Sequence, residues 1–297
     1  MPDPITFYNR STREMQRELV LGDSLLRLAY STPARHLLSW PLFGTALCSR
    51  LLGWYATRGL SKGRIERTVR ELKMELADYE VPPQGFASFN EFFARRLKPG
   101  ARPFAPKGLC SPADSRLLVY PKLEKGLCIP VKGASFTVEE LLGSQEEAAP
   151  FEGGSLFVFR LCPSDYHRFH FPDDGTLLRH WRIPGKYHSV NPLALEQRIK
   201  VFTTNVREIS ILELAHFGKA AFIEVGAFGV ASITQTHQGA AFKRGDEKGY
   251  FTFGGSTVIM IFGPGRLTID SDILSHSDNG VECLVKAGEH VASSLES

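Results

Sequence analysis

From about residue 107 onward, short apolar runs alternate with Gly, Pro and Asp turns. The clearest runs lie at 156–161, 221–225, 230–234 and 258–262. Runs of that length bounded by turn formers predict a β-rich body. Helical periodicity is confined there to two places, around 137–142 and 192–197. No internal repeat or low-complexity tract interrupts the pattern.

Residues 1–80 read differently: strand signals are scarce and Leu, Arg and Ala are common, which predicts helix. Within 24–65, apolar and aromatic side chains such as Leu37, Leu38, Trp40, Phe43, Trp54 and Tyr55 are interleaved with Arg27, Arg35, Arg50, Arg58, Lys62 and Arg64, without one Asp or Glu. Pro33 and Pro41 break the stretch into short helices. Apolar faces edged by cations suit the surface of an anionic membrane. A helical layer packed on the body, with solvated arginines, fits the same pattern. Residues 66–100 predict a further helix, a loop around 81–85, and a helix for which Ser88 is the cap with Glu91 three positions on.

The chain has 297 residues, 43% hydrophobic and 23% charged, and a formal net charge of +3. That charge is too small to argue for nucleic acid. The five cysteines (Cys48, Cys110, Cys128, Cys162 and Cys283) are odd in number and lack C-x-x-C spacing. Neither a disulfide framework nor a zinc site is expected, and a reducing, cytosol-facing location fits. The first twenty residues have no signal-peptide character, and no run of about 20 apolar residues predicts a spanning helix.

Three segments could carry chemistry. Ser111-Pro112-Ala113-Asp114-Ser115 offers one carboxylate in a turn between two predicted strands. Asp165-Tyr166-His167-Arg168-Phe169-His170-Phe171-Pro172 places two histidines three apart. On a helical turn they share a face; on a strand they point to opposite faces. They could serve as an acid and a base, or bind a metal, although no third ligand accompanies them. Gly254-Gly255-Ser256-Thr257 enters the run at 258–262. It is a glycine turn before a strand, or a place where the Gly255 carbonyl lies open to the Ser256 hydroxyl.

In this order and spacing, the three segments resemble the signature set of phosphatidylserine decarboxylases: Ser-Pro-Ala-Asp at 111–114, Asp-Tyr-His-Arg-x-His-x-Pro at 165–172, and Gly-Ser-Thr at 255–257. Ser88-Phe89-Asn90-Glu91-Phe92-Phe93-Ala94-Arg95 and Ser189-Val190-Asn191-Pro192 add to the likeness. It runs from roughly residue 85 to 265. Ser115 stands where the family usually has glycine, and Gly254 where many bacterial members carry leucine.

The resemblance implies an α+β fold: a β-rich, mainly antiparallel catalytic body (86–297) behind an N-terminal helical, membrane-associating segment (1–85). It implies self-cleavage between Gly255 and Ser256 into a β chain (1–255) and an α chain (256–297), with Asp114, His170 and Ser256 as the self-cleavage triad. Ser256 becomes a covalent pyruvoyl group, the cofactor, which takes the amine of phosphatidylserine as a Schiff base and stabilises the carbanion left by CO₂. His167 is the expected proton donor, with Phe169 and Phe171 excluding water. His188 and Asn191 are candidate headgroup contacts. A peripheral position on the cytoplasmic face of the cell membrane, a homodimer and no bound metal are implied as well. The alternatives are a pyruvoyl enzyme for a soluble amino acid, a non-enzymatic lipid-binding scaffold, and a metal hydrolase using His167 and His170.

Overall fold

Two segments, Ser155–Leu161 and Ser256–Phe262, are buried at every position. Strands with no solvent face belong in the middle of a sheet covered on both sides, and both lie there. The computed structural model describes residues 5–19, 53–123, 129–131, 134–186, 201–226, 233–254 and 256–295. Much of the predicted interfacial stretch (24–52), the helix predicted at 192–197, His188, Asn191 and Gly255 lie outside the described residues.

In chain order the strands are β1 (Thr6–Asn9), β2 (Glu14–Arg17), β3 (Leu109–Cys110), β4 (Ser115–Tyr120), β5 (Ile129–Val131) and β6 (Ala134–Phe136). Next come β7 (Ser155–Leu161), β8 (Arg168–His170), β9 (Gly175–Ile183), β10 (Arg207–Leu214), β11 (Gly218–Gly226) and β12 (Ile233–Gln235). The last are β13 (Ala241–Phe242), β14 (Glu247–Phe251), β15 (Ser256–Phe262), β16 (Leu267–Ile269), β17 (Glu282–Val285) and β18 (His290–Ser294). A ten-stranded sheet has the order β13-β9-β10-β11-β15-β7-β4-β17-β1-β2, with smaller sheets β12-β14-β8, β16-β18-β3 and β5-β6. Among the described strands, only β1 and β17 pair in parallel. The protein is therefore a β-rich, mainly antiparallel α+β fold, with few helices among the described residues.

The large sheet separates two cores. Phe157, Phe159, Phe222, Val258, Met260 and Phe262 face one, together with residues of the two smaller three-stranded sheets. Leu156, Val158, Ile223, Ile259 and Ile261 face the other, under the short helices Val138–Leu142 and Gln145–Ala148. The helix predicted around 137–142 is present and opens on a full capping box of Thr137 with Glu140, and at the predicted cap the Ser88 hydroxyl accepts the Glu91 amide at 3.2 Å.

The all-helical expectation for residues 1–80 is corrected. β1 and β2 form one end of the large sheet, β1 lying beside β17, its Phe7 opposite Glu282. Phe7 is buried under the Arg116 guanidinium, 4.2 Å from its ring centroid. β1 pairs locally with β2 across a short turn, but its place in the large sheet comes from β17, some 270 residues away, which no local pattern announces. Helix does occur at Gly63–Glu71 and, for five residues, at Phe89–Phe93.

Candidate active site

Ser256 is the first residue of β15, opposite Gly226 on β11 and Leu161 on β7. Strand alternation puts its side chain on the face of Val258 and Met260, and the residue is fully buried. The segment from β14 to Ser256 is a tight link. The Phe251 amide donates to the His167 carbonyl at 2.9 Å, and the Phe253 amide donates to Asn90 Oδ1 at 2.9 Å. Gly254 has φ = 145°, a conformation that a side chain resists, so the first glycine of the pair serves the backbone path into β15.

His167 meets this serine. Its Nδ1 lies 3.0 Å from Ser256 Oγ and its Nε2 3.0 Å from the Cys162 carbonyl oxygen. A carbonyl only accepts, so Nε2 carries the proton and the neutral ring presents Nδ1 as an acceptor for the serine hydroxyl. Phe93 stacks on the imidazole with centroids 3.7 Å apart. Burial, helped by the Arg95 charge, pushes the imidazole well below its ordinary pKa, which keeps it neutral. This is the state that can accept a hydroxyl proton.

His170 lies at the end of β8, an odd number of residues on, and faces elsewhere. Its Nε2 meets the Tyr166 hydroxyl at 3.0 Å and its Nδ1 the Gly245 carbonyl at 2.9 Å. Burial holds it, too, below the ordinary histidine range. Its backbone amide donates to Pro112 O at 2.9 Å, which ties β8 to the turn carrying Asp114. That carboxylate is fully buried. It accepts from Arg102 Nε at 3.0 Å and Nη2 at 2.8 Å, from the Ala287 amide at 2.8 Å, and from Lys286 Nζ at 3.4 Å. Burial alone would raise its pKa, but these donors hold it below the usual carboxylate range.

Of the residues expected to act together, the structure joins Ser256 to His167. Asp114 and His170 each bond to other partners, although the Asp114 charge acts on both imidazoles. Ser115, where glycine was expected, enters β4 opposite Val285 without a positive φ. Its hydroxyl accompanies the Ala113 carbonyl at 3.4 Å. Phe171 stacks on Phe242 and Phe169 packs on Phe251, while the ring that covers His167 is Phe93.

Sequence reasoning assigned no role to Arg95, Arg102, Tyr166 or Asn90. Arg95 is buried and donates to the carbonyls of Ser164 and Asp165, both at 2.8 Å, which fixes the turn before His167. Asn90 and Arg95 stood inside the segment 88–95, so a signal was available; Arg102 had none. A cavity of about 320 Å³ beside His170 is lined by Arg96, Lys98, Arg102, Phe104 and Tyr166 among others. Among the described residues, no three His, Cys, Asp or Glu side chains converge as a metal site.

Fold and site together define a class: an antiparallel β-rich body with a buried serine–histidine pair immediately after a double glycine. The family profile described as phosphatidylserine decarboxylase matches residues 89–293. A protein of Desulfitobacterium hafniense is 41% identical over 292 residues, 97% of each chain. One of Ruminiclostridium cellulolyticum is 38% identical over 295 residues, 98% of each. One of Clostridium botulinum is 39% identical over 292 residues, 97% of this chain and 99% of its own. All three are named phosphatidylserine decarboxylase proenzyme. The chain belongs to the phosphatidylserine decarboxylase family.

Proposed function

We propose that the chain is the precursor of a phosphatidylserine decarboxylase, which cuts itself between Gly255 and Ser256 and converts phosphatidylserine to phosphatidylethanolamine and CO₂. The observation that carries this is the buried contact of Ser256 Oγ with a neutral imidazole at the glycine junction.

Self-cleavage begins when the Ser256 hydroxyl gives its proton to a base and its oxygen attacks the Gly255 carbonyl carbon. The peptide C–N bond breaks, the nitrogen takes a proton, and an ester joins the two residues. Loss of the Cα proton of residue 256 and rupture of its Cβ–Oγ bond release Gly255 as a carboxylate. Addition of water and departure of ammonia leave a pyruvoyl group at residue 256. Pyruvoyl has the three carbons of serine, a keto oxygen in place of the nitrogen and no hydroxyl, so it needs no more room than the buried residue already has. Bound there, it supplies a carbonyl that captures the lipid amine and an electron sink for the charge left by CO₂.

His167, 3.0 Å from Ser256 Oγ, is the proton-moving residue best supported by distance for the serine hydroxyl, and its place beside residue 256 suits it to reprotonate the substrate carbon as well. A second assignment, the one the family resemblance implies, gives self-cleavage to His170 oriented by Asp114 and keeps His167 for decarboxylation. Its support is the 2.9 Å bond from the His170 amide to Pro112 O, in the turn that carries Asp114. Single variants separate them. Ser256→Ala is expected to remain one inactive chain. His167→Ala remains uncut if the distance decides, and is cut but turns over poorly if His170 is the base; in that case His170→Ala remains whole. Normal processing of Ser256→Ala refutes the cleavage site.

The cations Arg96, Lys98 and Arg102 around the cavity beside His170 suit an anionic headgroup. His188 and Asn191 stay candidate headgroup contacts. The basic, aromatic stretch 24–65 supports peripheral attachment to the cytoplasmic membrane face, where a lipid substrate is reached. A homodimer is part of the same proposal. An enzyme for a soluble amino acid would have no need of that stretch.

A further inference from the structure

The segment 88–95 stands out in the sequence, yet the chemistry above uses none of its side chains directly. In the structure its helix, Phe89–Phe93, lies against the link that contains the scissile bond. Asn90 Oδ1 accepts the Phe253 amide at 2.9 Å. Phe253 is held edge-on by Phe89 and Phe93, with centroids at 4.8 and 5.4 Å. Phe93 also stacks on His167. The helix is itself fixed, since the Phe89 amide donates to Ser61 Oγ at 2.9 Å.

We propose that Asn90 is a positioning residue for self-cleavage: it holds the strand-to-strand link by the Phe253 amide so that the bond before Ser256 sits within reach of the serine hydroxyl. The inference rests on the self-cleavage proposed above. The link is fastened on both sides of the bond. Upstream, the Phe251 and Phe253 amides are tied to the His167 carbonyl and to Asn90. Downstream, Ser256 begins β15 and touches the His167 ring. Gly254, with φ = 145°, is a soft point between the anchors, so without the Asn90 bond the link has a free amide and a glycine pivot. Attack needs the reacting atoms about 3–3.5 Å apart, and a misplacement of about 1 Å can cost a hundredfold in rate. The same helix carries Phe93 on the imidazole, so one element aligns the nucleophile's partner and the bond to be broken.

Acceptor chemistry supplies the test. Asn90→Asp keeps an oxygen for the Phe253 amide, and a carboxylate is favourable in the first turn of a helix. Asn90→Leu keeps the size and removes the acceptor. Precursors are made in a cell-free translation system, and conversion of the full-length chain to two fragments is timed on gels. Asn90→Leu is expected to lengthen the half-time about tenfold to a hundredfold, with Asn90→Asp close to wild type. Thermal unfolding of each substitution, made in uncut Ser256→Ala precursors, reports folding separately. If Asn90→Leu is cut at the wild-type rate, or if Asn90→Asp is as slow as Asn90→Leu with equal unfolding temperatures, the positioning role is overturned. A wild-type chain that is never cut would instead sink the proposed function.

Discussion

Two imidazoles held neutral, His167 fully buried and His170 partly, make this fold sensitive to acid. His167 and His170 are both held below their ordinary range, chiefly by burial. In the unfolded chain they take up protons near pH 6.5. Below that pH the unfolded state therefore binds more protons than the folded one, and stability falls with pH. The loss reaches at most about 1.4 kcal/mol per pH unit for each histidine until its folded pKa is passed. Asp114, held low, adds its own loss only below about pH 4, where the unfolded carboxylate protonates. Denaturant unfolding of the Ser256→Ala precursor between pH 7 and 5 is expected to show this slope, and a further His167→Gln change should make it shallower. An unchanged slope would mean that His167 is not buried neutral.

At the scale of elements, the N-terminal strands are fastened by charge. Arg160 on β7 bonds Glu18, just after β2, at 2.6 Å and Glu282 on β17 at 2.6 Å, with all three side chains buried. Removing Glu18 takes away two charge-assisted hydrogen bonds, while Glu282 keeps Arg160 paired. Glu18→Ala should therefore lower the stability of the uncut precursor by about 2 kcal/mol, measured by denaturant midpoint; a shift under about 0.5 kcal/mol would make the pair ornamental. This fastening also explains what the sequence could not disclose. The runs at 156–161 and 258–262 were legible because central strands are apolar throughout, the helix at 137–142 because its periodicity is local, and Ser88 because a cap is local. β1 was not, since the pairing that sets it in the large sheet, with β17, is long-range. His167, His170, Asp114 and Ser256 were legible as reactive types at suggestive spacing. Their partners were not, because Asn90, Phe93, Arg95 and Arg102 reach them only through tertiary packing.

For the molecule as a whole, the question is how a buried site meets a bilayer lipid. Among the described residues, no helix is long and apolar enough to cross a membrane. Trp54 and Leu60 are exposed at 58% and 84%, near Arg58 and Lys62. Large apolar side chains beside cations suit the headgroup boundary. The protein is expected to sediment with anionic vesicles and to release at high salt, where a Debye length near 3 Å screens the attraction. Equal binding to neutral vesicles at all salt concentrations would assign attachment to apolar contacts alone. Every larger claim leads back to one peptide bond, so intact mass spectrometry of the purified, active protein is the decisive measurement. The account predicts two chains, 1–255 and 256–297, the smaller bearing a keto group in place of its amino terminus. An active protein consisting of one uncut chain with Ser256 unmodified would contradict it.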